Sequence, residues 1–221
     1  MALQEYKRGK SVCLFTLENS PVMTLDRMAC MGAGVSSRGW QRRDLPSEAL
    51  DEAEGWIQEA KADERFFVLQ PEPGRRSVEQ MVREAQVRGA EALYIDQLTF
   101  VDLPESRRPK TERIGEALHW LKAMISTGRN RMPCVLAHQI NRDGVRAAAK
   151  EGRHEMYHMS ESSEVERTAD WVCSLFRSTD SFISNGALLQ ILAARREEIK
   201  NWELFWDVDG GSLGVAREVK F

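Results

Sequence analysis

The chain has 221 residues, 42% of them hydrophobic and six of them tryptophan, which is enough to bury a full core but leaves no room for a second large domain. Its 31 basic and 34 acidic residues give a net charge of −3, so any nucleic-acid surface must be local rather than global. No apolar run is as long as a membrane span and the opening MALQEYKRGK lacks a signal-peptide core, so the expected setting is cytoplasmic, without a membrane. A single domain over 1–221 is expected. The four cysteines, Cys13, Cys30, Cys134 and Cys173, form no CxxC pair and read as reduced core residues.

In chain order, residues 1–8 read as the end of a helix with Gly9 as its C-cap, followed by a strand, Ser11–Leu17, that ends in Glu18. Gly9-Lys10-Ser11 matches the end of the phosphate-binding pattern GxxxxGK[ST]. The first glycine position is Gln4, however, and the order helix, glycine, strand is the reverse of what a phosphate loop needs. Asn19-Ser20-Pro21 starts a helix that Gly32-Ala33-Gly34 ends, and Ser47 opens a charged helix over Glu48–Ala62. Phe66–Leu69 is a short strand, Pro71–Arg76 a turn, and Ser77 caps an amphipathic helix over Val78–Arg88.

That helix leads into ALYIDQLTFV at 92–101, an apolar strand carrying Asp96 at its carboxyl end, where open α/β sheets place ligands. A proline-bearing loop over Asp102–Arg113 holds Arg107, Arg108 and Lys110, and a helix follows over Ile114–Ser126. Pro133–Ala137 is the next strand and runs into His138 and Gln139. Apolar periodicity is lost from Asp143 to Ser163, which reads as a mobile DNA-binding loop over 143–160; Arg142, Arg146, Lys150 and Arg153 lie in or beside it. Trp171–Phe176 is a fourth strand, Leu188–Ala193 and Glu203–Val208 a closing pair, and the tail after Gly210 is weakly specified. Strands alternating with helices imply a mostly parallel sheet covered on both faces.

FTLEN at 15–19, YIDQL at 94–98, LAHQINR at 136–142, SESSEVERTAD at 160–170 and AARRE at 193–197 occur in an order that resembles the motor domain of the DnaB-family replicative helicases, a branch of the RecA-like ATPases. The resemblance runs from residue 1 to about 208. It implies a RecA-like α/β fold with Glu18 as the glutamate that polarises the attacking water and Asp96 as the Walker B acid holding Mg2+. Gln139 would link the γ-phosphate to DNA, and Arg196 best matches the arginine finger. It also implies that the chain starts just after the Walker A strand and loop. ATP binding should then be weak and turnover negligible for this chain alone. The missing strand would lie between Pro133–Ala137 and Trp171–Phe176. Either those two close up, or another segment or chain fills the place, or the fold is unstable.

Three functions remain open on this reading. One is a helicase-type core that binds single-stranded or forked DNA through Arg107, Arg108, Lys110, Arg142, Arg146, Lys150 and Arg153. Another is a structure-specific nuclease in which Glu18 and Asp96 hold Mg2+ or Mn2+ and His138 serves as base or ligand. The last is a non-catalytic accessory or split-helicase subunit, either a homo-oligomer or completed by a partner that supplies the missing strand.

Overall fold

A computed structural model describes residues 1–127, 131–159, 162–177 and 185–220. They fall into two compact units, Met1–His138 and Gln139–Phe221, each with its own sheet.

The first unit is built on a parallel sheet of order β2-β1-β3-β4, made of β1 (Val12–Thr16), β2 (Phe66–Leu69), β3 (Ala92–Asp96) and β4 (Cys134–Leu136). Parallel strands need crossovers, and helices supply them: α2 (Pro21–Ala33), α3 (Ser37–Arg42), α4 (Ser47–Ala62), α5 (Val78–Val87) and α6 (Lys110–Ser126), while α1 (Ala2–Lys7) precedes β1. Every residue of β1 is buried, as a central strand covered on both faces requires. On one face Val12, Leu14, Ala92 and Tyr94 meet Ala2 and Ala60, with Trp56 and Met28 packed against them. On the other, Arg88 lies 4.9 Å over the ring of Phe67, and burial near α5 pushes the Cys13 thiol up to about 12.

Local chemistry sets the helix ends. Ser20 accepts the Met23 N–H at 3.2 Å ahead of Pro21, and Gly34 closes α2 at φ 70°, a left-handed turn open to glycine. Ser77 and Gln80 form a reciprocal capping box at the start of α5. The expected helix over Ile114–Ser126 begins a turn earlier, so Lys110 is its first residue rather than part of the preceding loop. Helix α3 was not expected; it buries none of its residues and so leaves no apolar stripe.

The second unit carries an antiparallel sheet of order β5-β6-β7-β8, from β5 (Trp171–Phe176), β6 (Gly186–Ala194), β7 (Asn201–Asp207) and β8 (Ser212–Val219). Strand β5 alternates exposed and buried residues, the signature of a sheet packed on one face. Among the described residues β4 pairs with β3, and β5 pairs with β6. The expectation of buried cysteines holds for Cys13 and Cys30, whereas Cys134 is half-buried and Cys173 is exposed on β5.

The segment expected as an irregular loop is largely ordered. It forms α7 (Arg142–Glu151), a 3-10 turn (Met156–His158) and the start of α8 (Ser162–Thr168), while residue 160 lies outside the described residues. Asn141 caps α7 by accepting the Gly144 N–H at 2.6 Å, and Gly152 ends it at φ 75°. Gly144 and Ala148 are its buried residues, and neither registers as an apolar signal, which is why periodicity vanished from the sequence here.

Candidate functional site

β1 and β3 are parallel neighbours with Thr16 opposite Asp96, and the Leu17 N–H donates to the Asp96 carbonyl at 2.7 Å. The chain therefore leaves both strands at one rim, and Glu18 and Asp96 sit side by side although 78 positions apart. Glu18 is exposed and Asp96 half-buried. Partial burial raises the Asp96 carboxyl above its ordinary range, the negative charge of Glu18 adds to the rise, and Arg27 on α2 opposes it.

The surrounding bonds fix this corner. Gln97, 4% exposed, donates Nε2–H to Glu18 Oε2 at 2.7 Å and so ties the two strand ends together. The Thr16 hydroxyl and the Gln70 amide both donate to the Asn19 carbonyl, at 2.9 and 3.1 Å. The Thr24 hydroxyl lies 3.2 Å from that of Thr16, which seats the first turns of α2 against the strand end. Gln97 and Arg27 had no role in the sequence reading: a bond between side chains 79 positions apart becomes visible only once the strand register is known.

His138 follows Ala137, whose N–H donates to Ile95 and whose carbonyl accepts from Leu98, both at 2.9 Å, so it leaves the sheet at this same rim. Arg107, Arg108 and Lys110 are exposed beside the start of α6, with Arg108 4.0 Å from Glu116. Their loop is anchored by the Arg113 guanidinium on the Pro104 carbonyl (2.9 Å) and by the Arg76 N–H on Asp102 (2.7 Å). The Gly9-Lys10-Ser11 segment lies between α1 and β1, and both Lys10 Nζ and the Ser11 N–H are bound to Glu91, at 2.7 and 3.0 Å, as befits a structural turn.

The other candidates belong to the second unit. Gln139 is exposed. Arg142, Arg146 and Lys150, spaced four apart on α7, are exposed together, and Val145, 54% exposed, lies beside them. Asp143 approaches Arg146 at 3.6 Å, and Arg153, just past the helix, pairs with Glu155 at 2.8 Å. Arg196 is exposed in the turn between β6 and β7. Its neighbour Arg195 is pinned, donating to the carbonyls of Ala169 and Arg167.

Beneath α7 lies a buried polar cluster that the sequence reading did not assemble. The Glu155 N–H donates to His158 Nδ1 at 3.0 Å, and Gln190 bonds both the N–H and the carbonyl of His154. The two imidazoles stand edge to face with centroids 6.3 Å apart. Burial lowers the His154 pKa below 6.5, and His158 lowers it further. The folded state thus prefers neutral His154, while the unfolded chain takes up a proton as the pH falls through 6.5. The second unit is expected to have its full stability above that pH and to lose part of it as the pH drops toward the depressed folded value. Urea melts across this range check the expectation, and His154→Leu should flatten the slope.

A parallel α/β sheet with two acids at the carboxyl rim of adjacent strands fits a RecA-like fold. Solved structures agree on the fold. One of them, described as an ATPase domain, superposes with a TM-score of 0.83 at 18% identity, covering 96% of this chain and 77% of that one. A DnaB-like replicative helicase, described with its interactions with primase, gives 0.81 at 19% identity, covering 96% of this chain and 52% of that one. The profile of the DnaB-like helicase C terminal domain matches residues 1–209. The chain belongs to that family. No curated protein sequence matches it. Among the described residues no helix is long and apolar enough to cross a membrane.

Proposed function

We propose that this chain is the DNA-engaging core of a helicase-type assembly, binding single-stranded or forked DNA, holding Mg2+ at Glu18 and Asp96, and turning over ATP weakly or not at all on its own. The observation that carries the reading is the acid pair at the rim of β1 and β3. Two hard oxygen donors of like charge, one of them half-buried, suit Mg2+, which keeps much of its water shell and takes one or two carboxylates. When bound, the ion would neutralise phosphate charge. Gln97 occupies one oxygen of Glu18, so a water oriented by Glu18 would meet the other. The low-turnover reading is supported by the setting of Gly9-Lys10-Ser11, which lies in a helix-to-strand turn and not in a strand-to-helix phosphate loop.

The exposed row Arg142, Arg146 and Lys150 supports DNA binding through phosphates, which is salt-dependent and tolerant of sequence. Anisotropy of a labelled oligo(dT) measured against salt tests this. Each charge removed by Arg142→Ala, Arg146→Ala or Lys150→Ala is expected to reduce the log–log slope by about 0.7. Binding that ignores salt, or that survives the triple substitution unchanged, would remove the assignment. Arg107, Arg108 and Lys110 are proposed as further phosphate contacts, Gln139 as the phosphate-sensing residue, and Arg196 as the finger in a homo-oligomer or in an assembly with a partner chain. Sedimentation equilibrium distinguishes these assemblies from a monomer. A metal-dependent nuclease would need the same acids, with His138 as base or ligand. Incubation of DNA with Mn2+ and no ATP tests this: cleavage abolished by Asp96→Ala would support the nuclease, and intact DNA would discard it.

A further inference from the structure

The geometry points to Tyr157 as a stacking platform for an unpaired nucleobase, set at the end of the basic helix α7; this rests on the DNA-binding reading above. Tyr157 lies in the turn Met156–His158 and is 65% exposed, whereas its neighbour His158 is 1% exposed. An exposed aromatic ring on a surface turn is usually free to swing, but this one is held at both ends. Its ring packs edge-on against the His158 imidazole at 4.4 Å and 73°, and its hydroxyl donates to Glu151 on the last turn of α7 at 3.3 Å. His158 is itself fixed, since its Nδ1 accepts the Glu155 N–H and its carbonyl accepts the Asn141 N–H at 3.2 Å. A ring held in this way loses little further freedom when a flat partner settles on it.

Its surroundings suit a polyanion. Lys150 precedes the tethering Glu151, Arg153 follows it, and Arg142 and Arg146 continue the cationic row along the exposed side of α7. Cationic side chains that follow a backbone, with an aromatic face at the end of their track, form the arrangement that grips single strands. Phosphates supply the salt-dependent part of the affinity and stacking supplies a part that salt does not touch. In duplex DNA the bases are already stacked on one another and cannot use the ring. Tyr157 would therefore give the second unit a preference for single strands that lysine and arginine alone cannot provide.

The test compares oligo(dT) with an abasic strand of equal length and charge, using the full chain. The wild-type chain is expected to favour oligo(dT), and Tyr157→Ala to weaken oligo(dT) binding roughly 5- to 100-fold while leaving both the salt slope and abasic binding unchanged. Tyr157→Phe removes the hydroxyl tether but keeps the ring and should retain most of the affinity. Tyr157→Trp should bind with quenched indole fluorescence. The proposal is overturned if Tyr157→Ala binds like wild type, if Tyr157→Phe loses as much as Tyr157→Ala, or if the wild-type chain does not distinguish the two strands. Salt-dependent binding without discrimination would overturn the stacking role alone and leave the phosphate reading intact; absence of any binding would remove both.

Discussion

Gly144→Ala is expected to destabilise the second unit, although a glycine-to-alanine change inside a helix ordinarily helps by up to about 1 kcal/mol. A Cβ at Gly144 would meet the carbonyl oxygen of His158 and lie 2.7 Å from its Cβ and 2.8 Å from its Cα. Those atoms are held by the Asn141 N–H bond and by the turn, so they cannot swing aside as the end of a flexible side chain would. Overpacking costs about 1–3 kcal/mol, and a backbone obstacle puts this site near the upper end, so the clash outweighs the helix propensity. A lower urea midpoint is expected, with weaker oligo(dT) binding as α7 lifts from the turn. Gly55→Ala in α4 is the matched control, because nothing lies within 4 Å of the added carbon, and it should be neutral or stabilising. If both changes had the same sign, the close packing of α7 would be disproved.

Asp96→Asn is expected to cost the chain at least tenfold in Mn2+ affinity, about 1.4 kcal/mol, as measured by electron paramagnetic resonance of the free ion. Glu18→Gln should cost less, because charge–charge interactions are stronger for the half-buried Asp96 than for the exposed Glu18. Metal and proton compete for the same carboxylate. Since burial and Glu18 both raise the Asp96 pKa, wild-type affinity should begin to fall at a pH above the usual aspartate range. Glu18→Gln removes one of those two influences and should move the fall to lower pH. Unchanged affinity in Asp96→Asn would mean that the pair does not hold metal.

Elements whose stability comes from apolar contacts were legible in the sequence. β1 and β3 announced themselves through Val12–Phe15 and Leu93–Ile95, and β2 and β5 were placed residue for residue. Ser77 announced its helix because capping is local chemistry, and the structure adds the reciprocal bond with Gln80. α7 could not be read, since its packing depends on a residue with no side chain at Gly144 and on a methyl group at Ala148. β8 was missed for the opposite reason: it is almost wholly exposed, so no alternation distinguishes it, and its pairing rests on backbone bonds and on Arg217 reaching Glu203 at 2.7 Å. In the site, the acids themselves were legible because strand ends are where such folds place them. Their neighbours Gln97 and Arg27 were not, because nothing near them in the chain marks a contact made across the sheet.

The acid pair lies within residues up to His138 and the cationic helix within those after it, so the proposed ion binding and the proposed strand capture can be varied one at a time. A thermodynamic box, with Mn2+ titrated in the presence and absence of oligo(dT) and the oligonucleotide titrated with and without Mn2+, must close on a single reciprocal factor. A factor of one would describe two independent modules on one polypeptide; a larger factor would measure how strongly they signal to each other.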